Sequence, residues 1–357
     1  MNSNGNLRAA SATVEKALRE FMEGRTLPLY TMMAYHLGWV DEHGEPVPPA
    51  EQERLRGAIC LFAAQAAGAD RPDQSTDQPA DHREATLSAT AIELLHNYSL
   101  IHSDIQEGNP DRGVKPALWW VWGPAQGINA GDGMHALARL AIFSMGDSGS
   151  SPEKVSAALK TLDEATLLLC EGAYMDTVFQ EQLAVSTADY MKMAESLSGS
   201  VVAAAVRLGI MAAGDAADGG NEMLLDGLGE FGLKLGTAMR IAEDYAVLWG
   251  EGERDSAAQG RLIAKKKSLP VVHALENAEP SIRRELGNMY AQRVIDPASI
   301  DRVREVLDES GSREYTEGVL RDLRGDADQA LTKSEIDDDS RAGFEGLIEH
   351  AVGRLAS

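Results

Sequence analysis

Cysteine is almost missing from the chain, with two residues, Cys60 and Cys170, in 357 positions. Two thiols set in apolar runs cannot build a disulfide framework, and both are expected to be buried core side chains. Aromatic residues are scarce at 5%. Runs of Val, Ile and Thr are few too, which argues against a β-rich fold. Positive charge is in the minority: 33 Lys and Arg stand against 56 Asp and Glu, a formal charge of −23. Such a surface repels phosphate backbones and anionic headgroups, so nucleic acid and membrane surfaces are poor partners. No segment is expected to span a bilayer, the N-terminus has no apolar signal core, and the cytoplasm is the expected compartment. No glycine-rich phosphate loop follows a strand-like run, and no fixed repeat recurs.

What is present is helix-forming. Apolar residues make up 44% of the chain, with Ala, Leu, Met and Glu recurring at helical spacing. The pattern predicts an all-α protein, a single large helical bundle over residues 1–357 with 1–10 frayed. Helices are expected over 12–21, 27–37 and 51–67, from 84 to 107, over 117–122, on to 145, over 155–183, from 186 to 208 and over 224–249. Pro152 and Pro270 suit first helical turns. The stretches 41–49, 68–83, 108–116 and 250–260 read as loops, and Asp337–Asp339 as a solvated loop.

The most informative stretch is Leu95 to Glu107. On a helix, His96, Leu100, Asp104 and Glu107 share one face, with two carboxylates at its C-terminal end. The helix dipole favours cations there, so acids at that end point to a bound cation such as a divalent metal. A second acid pair, Glu243 and Asp244, lies near the end of another long helix. Facing helices would bring the four carboxylates around one cavity. Arg112 and Lys115 follow the first pair, and Lys266 and Lys267 follow the second. Carboxylates, metal and Lys/Arg together suit a diphosphate leaving group.

In order along the chain, Arg54-Leu55-Arg56, Glu93-Leu94-Leu95-His96, Leu100 to Asp104, Arg112 to Pro116, Ala130-Gly131-Asp132, Cys170-Glu171-Gly172 and Lys266 to Pro270 resemble the polyprenyl synthetase family, the trans-isoprenyl diphosphate synthases. The resemblance implies an all-α bundle, commonly homodimeric. It also implies Mg²⁺ held by two DDxxD motifs, an allylic prenyl diphosphate that ionises there, and isopentenyl diphosphate attacking the cation. On this chain it assigns catalysis and metal binding to Asp104, Glu107, Glu243 and Asp244. Diphosphate contact falls to Arg56, His96, Arg112, Lys115, Lys266 and Lys267, and product-length control to Tyr98. Taken without the resemblance, His96 and Tyr98 are core side chains, Arg112 and Lys115 are surface charges, and Trp119, Trp120 and Trp122 are packing.

The chain departs from the family pattern at several of these points. The first motif is Ser103-Asp104-Ile105-Gln106-Glu107 and the second Glu243-Asp244-Tyr245-Ala246-Val247. Glu53 replaces the lysine that grips isopentenyl diphosphate, and only Arg112 remains of an arginine pair. Ala173, Leu197 and Ser198 replace polar or basic family residues, and Arg261 stands where an aspartate is usual. Because the acceptor side is more altered than the allylic side, the expectation is a terpene-synthase-like enzyme that ionises an allylic diphosphate and cyclises or quenches it. The alternatives are a prenyltransferase, elongating with isopentenyl diphosphate or using another acceptor, and a non-catalytic subunit paired with an active paralogue.

Overall fold

The computed structural model describes residues 3–48, 53–68, 83–182, 184–214, 221–250, 265–292 and 295–352. The candidate loops at 69–82 and 251–260, with Arg261, lie outside the described residues. In chain order the helices are α1 (Ser3–Met22), α2 (Pro28–His36), α3 (Leu55–Ala66), α4 (Arg83–Glu107), α5 (Leu118–Trp122), α6 (Pro124–Asp147) and α7 (Pro152–Glu181). They continue as α8 (Thr187–Ala194), a π-helical turn (Glu195–Gly199), α9 (Ser200–Ala213), α10 (Asn221–Trp249), α11 (Leu269–Asn277), α12 (Pro280–Ala291), α13 (Ile300–Glu309), α14 (Ser312–Lys333) and α15 (Asp338–Ala351). Among the described residues the fold is all-α apart from one small hairpin, β1 (Asp111–Arg112) against β2 (Lys115–Pro116), with Arg112 opposite Lys115.

Local chemistry sets the helix starts. Proline occupies the first turn of α2, α6, α7, α11 and α12, where its missing N–H removes no helical bond. Ser151 and Ser186 cap α7 and α8 by accepting from the Lys154 and Asp189 amides. Buried residues spread over nearly every face of α4, among them Ile92, Leu94 and Leu95, as befits a helix enclosed by others. It packs on α3, α6 and α9, and truncating a fully buried leucine such as Leu94 costs about 2–5 kcal/mol. A second apolar cluster, containing Leu248, Val271, Tyr290, Val303 and Leu307, joins the end of α10 to α11–α13.

Glycines permit the close approaches that shape the centre. A Cβ on Gly236 of α10 would fall 2.7 Å from the Ser198 carbonyl oxygen, and one on Gly172 of α7 would fall 2.6 Å from the Leu197 amide nitrogen. Both contacts press on the π-helical turn, which is thus wedged between α7 and α10. Such turns interrupt helices and often mark functional walls.

Several expectations need correction. Helix α1 begins at Ser3, and Leu7 is buried in the core, so apolar packing anchors a segment expected to fray. Helix α3 starts at Leu55 rather than in the acidic residues before it. Asp337 is a cap, its carboxylate accepting from the Ser340 amide at 2.8 Å. Cys60 is buried but Cys170 is exposed. The continuous run Thr187–Ala213 is long and apolar enough to cross a membrane by length and composition, yet 72% of its most apolar stretch is buried inside the protein. It is placed as a core helix.

Candidate functional site

The C-terminal ends of α4 and α10, the middle of α7 and the π-helical turn enclose a cavity of about 1140 Å³. His96, Leu100, Asp104 and Glu107, the predicted stripe of α4, all line it. Leu169, Leu197 and Val201 supply apolar wall, while Arg56, Arg112, Arg240 and Lys266 bring positive charge.

One group of cations gathers beside α4. Arg56 Nη1 donates to His96 Nε2 at 3.0 Å. Burial, with help from the Arg56 and Arg112 charges, pushes the His96 pKa well below its usual value, so the ring is a neutral acceptor at neutral pH. Gly108 and Gly113 take positive φ, 66° and 60°, and let the hairpin fold back against the helix end. This turn brings Arg112 onto Asp104, with Nε and Nη2 each 2.7 Å from one carboxylate oxygen. Burial raises the Asp104 pKa while Arg112 pulls it down, leaving it above the normal carboxylate value. Trp119 Nε1 donates to the Asn109 carbonyl at 2.6 Å, and Asn109 Nδ2 donates to Glu107 at 2.8 Å. This tryptophan therefore packs and also braces the turn.

The opposite wall carries a residue not anticipated from sequence. Asp176 on α7 is buried, lines the cavity and takes an ion pair from Lys266, whose Nζ also lies 3.1 Å from Glu107 Oε1. Arg240, one turn before Asp244 on α10, is also a new member of the site, with Nη2 3.4 Å from Asp244 and 3.9 Å from Asp176. Helical spacing could have found both. Asp176 follows Gly172 by four residues, and Arg240 precedes Asp244 by four.

Other predicted residues sit elsewhere. Asp244 is buried beneath the wall, accepts from Tyr190 Oη at 2.6 Å and does not border the cavity, whereas Glu243 does. Lys115 donates to the Tyr35 and His36 carbonyls instead of facing the cavity. Lys267 packs over the Tyr290 ring, 4.4 Å from its centroid, and burial first, then Lys265, lowers its pKa to about 8. Glu53 is turned to α15, where His350 Nε2 stands 3.0 Å from its Oε2. Tyr98 lines the cavity below the acids, its ring edge-on to His102 with centroids 4.7 Å apart.

The metal expectation meets a physical difficulty here. Among the described residues, no group of three or more His, Cys, Asp or Glu side chains stands close enough to hold a metal ion. Four of the carboxylates are engaged by the chain's own cations, Asp104 by Arg112, Glu107 and Asp176 by Lys266, and Asp244 by Arg240, while Glu243 borders the cavity. As arranged, this donor set does not fit an Mg²⁺ site.

Residues 40–308 match the polyprenyl synthetase family model. The chain belongs to the polyprenyl synthetase family. It is 28% identical to the (2E,6E)-farnesyl diphosphate synthase of Mycobacterium tuberculosis over 354 residues, 98% of this chain and 93% of that one. It is 31% identical to a short chain isoprenyl diphosphate synthase of Methanothermobacter thermautotrophicus over 271 residues, 76% of this chain and 77% of its relative. Its fold matches the crystal structure of a polyprenyl synthetase from Streptomyces coelicolor A3(2), with a TM-score of 0.84, 27% identity, and coverage of 98% of this chain and 100% of the other.

Proposed function

We propose that this member of the family is a prenyltransferase that joins an allylic prenyl diphosphate to a second, homoallylic diphosphate such as isopentenyl diphosphate. The observation that carries this reading is the set Arg56, His96 and Arg112 bordering the same cavity as Lys266 and Arg240, so one space offers cations to two diphosphates. Glu53, which stands at the position of the family's acceptor-gripping lysine, turns its side chain to His350 instead. The relatives named above are prenyl diphosphate synthases, which favours transfer over cyclisation.

In this scheme the allylic C1–O bond breaks, and diphosphate leaves with the electron pair. Lys266 and Arg240 stabilise the charge that develops on it. The acceptor, oriented by Arg56 and Arg112, donates its alkene electrons to C1, and the adduct gives a proton to the released diphosphate, which restores a double bond. The apolar wall of Leu169, Leu197 and Val201 keeps water from the cation. Neutral His96 holds the Arg56 guanidinium in place by accepting its N–H.

The test is incubation of the purified chain with dimethylallyl or geranyl diphosphate, with and without isopentenyl diphosphate. A longer diphosphate only when acceptor is added is the expected result. Hydrocarbon or alcohol formed without acceptor would return the terpene-synthase expectation. Inertness toward every donor and acceptor would leave the modulatory-subunit alternative.

A further inference from the structure

Buried charges alternate from α10 across α7 to Lys266 and the C-terminal end of α4. Asp244, Arg240, Asp176, Lys266 and Glu107 follow one another, and each cation stands between two acids. A divalent ion binds where carboxylate oxygens converge without a competing cation. Between Asp176 and Asp244 that space holds a guanidinium. Arg240 is 7% exposed, and its Nε is buried with no hydrogen-bond partner among the described residues. The Ser198 hydroxyl, on the neighbouring π-helical turn, is likewise buried and without such a partner. Both residues border the cavity. A buried donor left unpaired costs about 1–3 kcal/mol, so two on one wall point to an acceptor-rich ligand that completes them.

We propose that Arg240 is a resident counter-cation: it occupies the place of a divalent ion between Asp176 and Asp244 and takes a diphosphate oxygen directly. This deepens the proposed function and rests on it for the identity of the anion. Diphosphate then binds at this wall without a metal bridge, and the chain holds fewer divalent ions than its acids would suggest. A guanidinium keeps its proton at any working pH, so the counter-cation is permanent.

Three proteins decide the matter: wild type, Arg240→Gln and Arg240→Lys. Inorganic diphosphate binding is measured by calorimetry in EDTA and in Mg²⁺, and bound Mn²⁺ is counted by electron paramagnetic resonance with diphosphate present. Wild type is expected to bind diphosphate in EDTA within roughly tenfold of its affinity in Mg²⁺, and Arg240→Gln to lose at least roughly tenfold in EDTA. Arg240→Gln should also bind at least one more Mn²⁺ per chain than wild type, while Arg240→Lys keeps the wild-type count. Should Arg240→Gln fail to fold, the wild-type comparison in EDTA and Mg²⁺ decides alone. An absolute requirement of wild type for divalent ion, or equal Mn²⁺ counts in wild type and Arg240→Gln, overturns the proposal. Prenyl transfer with equal counts defeats only this inference. Metal-free diphosphate binding through Arg240 without any prenyl transfer defeats only the functional reading.

Discussion

Glu53 and His350 meet across 297 positions of sequence, carboxylate oxygen to imidazole nitrogen at 3.0 Å. The contact ties the start of α3 to the last helix and turns a negative charge away from the cavity. Glu53→Gln should therefore change the KM for isopentenyl diphosphate by less than about threefold, the equivalent of ~0.6 kcal/mol. Its effect on folding should stay within about 1 kcal/mol, as for other exposed pairs. A tenfold or greater drop in KM would put Glu53 back in the acceptor site.

The Asp104–Arg112 pair should behave as a unit. Asp104 is buried, whereas the Arg112 side chain keeps 30% of its exposure. Arg112→Met strands the carboxylate and is expected to cost about 3 kcal/mol, the low end for a broken buried pair. The double variant Asp104→Asn/Arg112→Met should cost less than the sum of the two single changes. The sign with pH is also fixed. A carboxyl whose folded pKa is raised favours the folded state once protonated, so the Arg112→Met deficit should shrink as pH falls through that pKa. Urea unfolding at several pH values checks both points, and strict additivity would show that the pair is not coupled.

Much of this architecture is legible in the chain. Helical spacing places α4, α7 and α10, and the stripe from His96 to Glu107 does face one cavity. Spacing gives the face of a residue on its own helix, but not what lies opposite. Asp244 has the position expected of a ligand, yet Tyr190 and Arg240 take its oxygens from other directions. Lys115 and Lys267 lie next to site residues in sequence, and backbone carbonyls and the Tyr290 ring draw them away. Asp176 lies four residues after Gly172, so spacing marks its face on α7, but only the fold brings it to Lys266.

Histidines should control stability in mild acid. His96 and His36 both have pKa values well below normal, from burial and then from nearby arginines, among them Arg56 and Arg112 for His96, and Arg112 and Arg54 for His36. For a group with a depressed folded pKa, the unfolded chain takes up the proton first. Stability is then full above roughly pH 6.5 and falls below it by about 1.4 kcal/mol per pH unit for each histidine. Glu93 and Asp104 have raised values and act in the opposite sense, but only at the lower pH where carboxyls titrate. Urea midpoints should decline from neutral pH downward, and His96→Gln should remove one proton from that slope. A flat profile through this range would contradict the buried, neutral state of both rings.

The exposed faces of α6 and α7 predict self-association. Phe143 is 51% exposed, Leu167 61% and Tyr174 70%, with Leu140 and Leu168 beside them. A patch of large apolar side chains on adjoining helices favours a partner, and a second copy of this chain is the simplest one. Sedimentation should give about twice the 38.3 kDa chain mass. Phe143→Glu/Leu167→Glu should yield monomer with helical content intact. A monomeric wild type would direct attention to a different chain as the partner.

Tyr98 should set how far a growing prenyl tail can reach. Its ring rests against His102 and His135, with centroids 4.7 and 5.4 Å away, and its hydroxyl lies 3.6 Å from Cys170 Sγ. These contacts hold the ring at the cavity wall, about one and two-thirds turns of α4 below Asp104. Removing the ring in Tyr98→Ala extends the apolar space without touching any cation proposed to hold diphosphate. The expected outcome is a product longer by at least one isoprene unit, with kcat/KM for the first condensation within about threefold of wild type, since no diphosphate contact is lost. Tyr98→Phe keeps the ring and should keep the product length. If mass analysis finds the same diphosphate from wild type and Tyr98→Ala, another part of the wall stops the tail. If the first condensation itself collapses, Tyr98 instead holds α4 against α6 and acts on the site through its backbone.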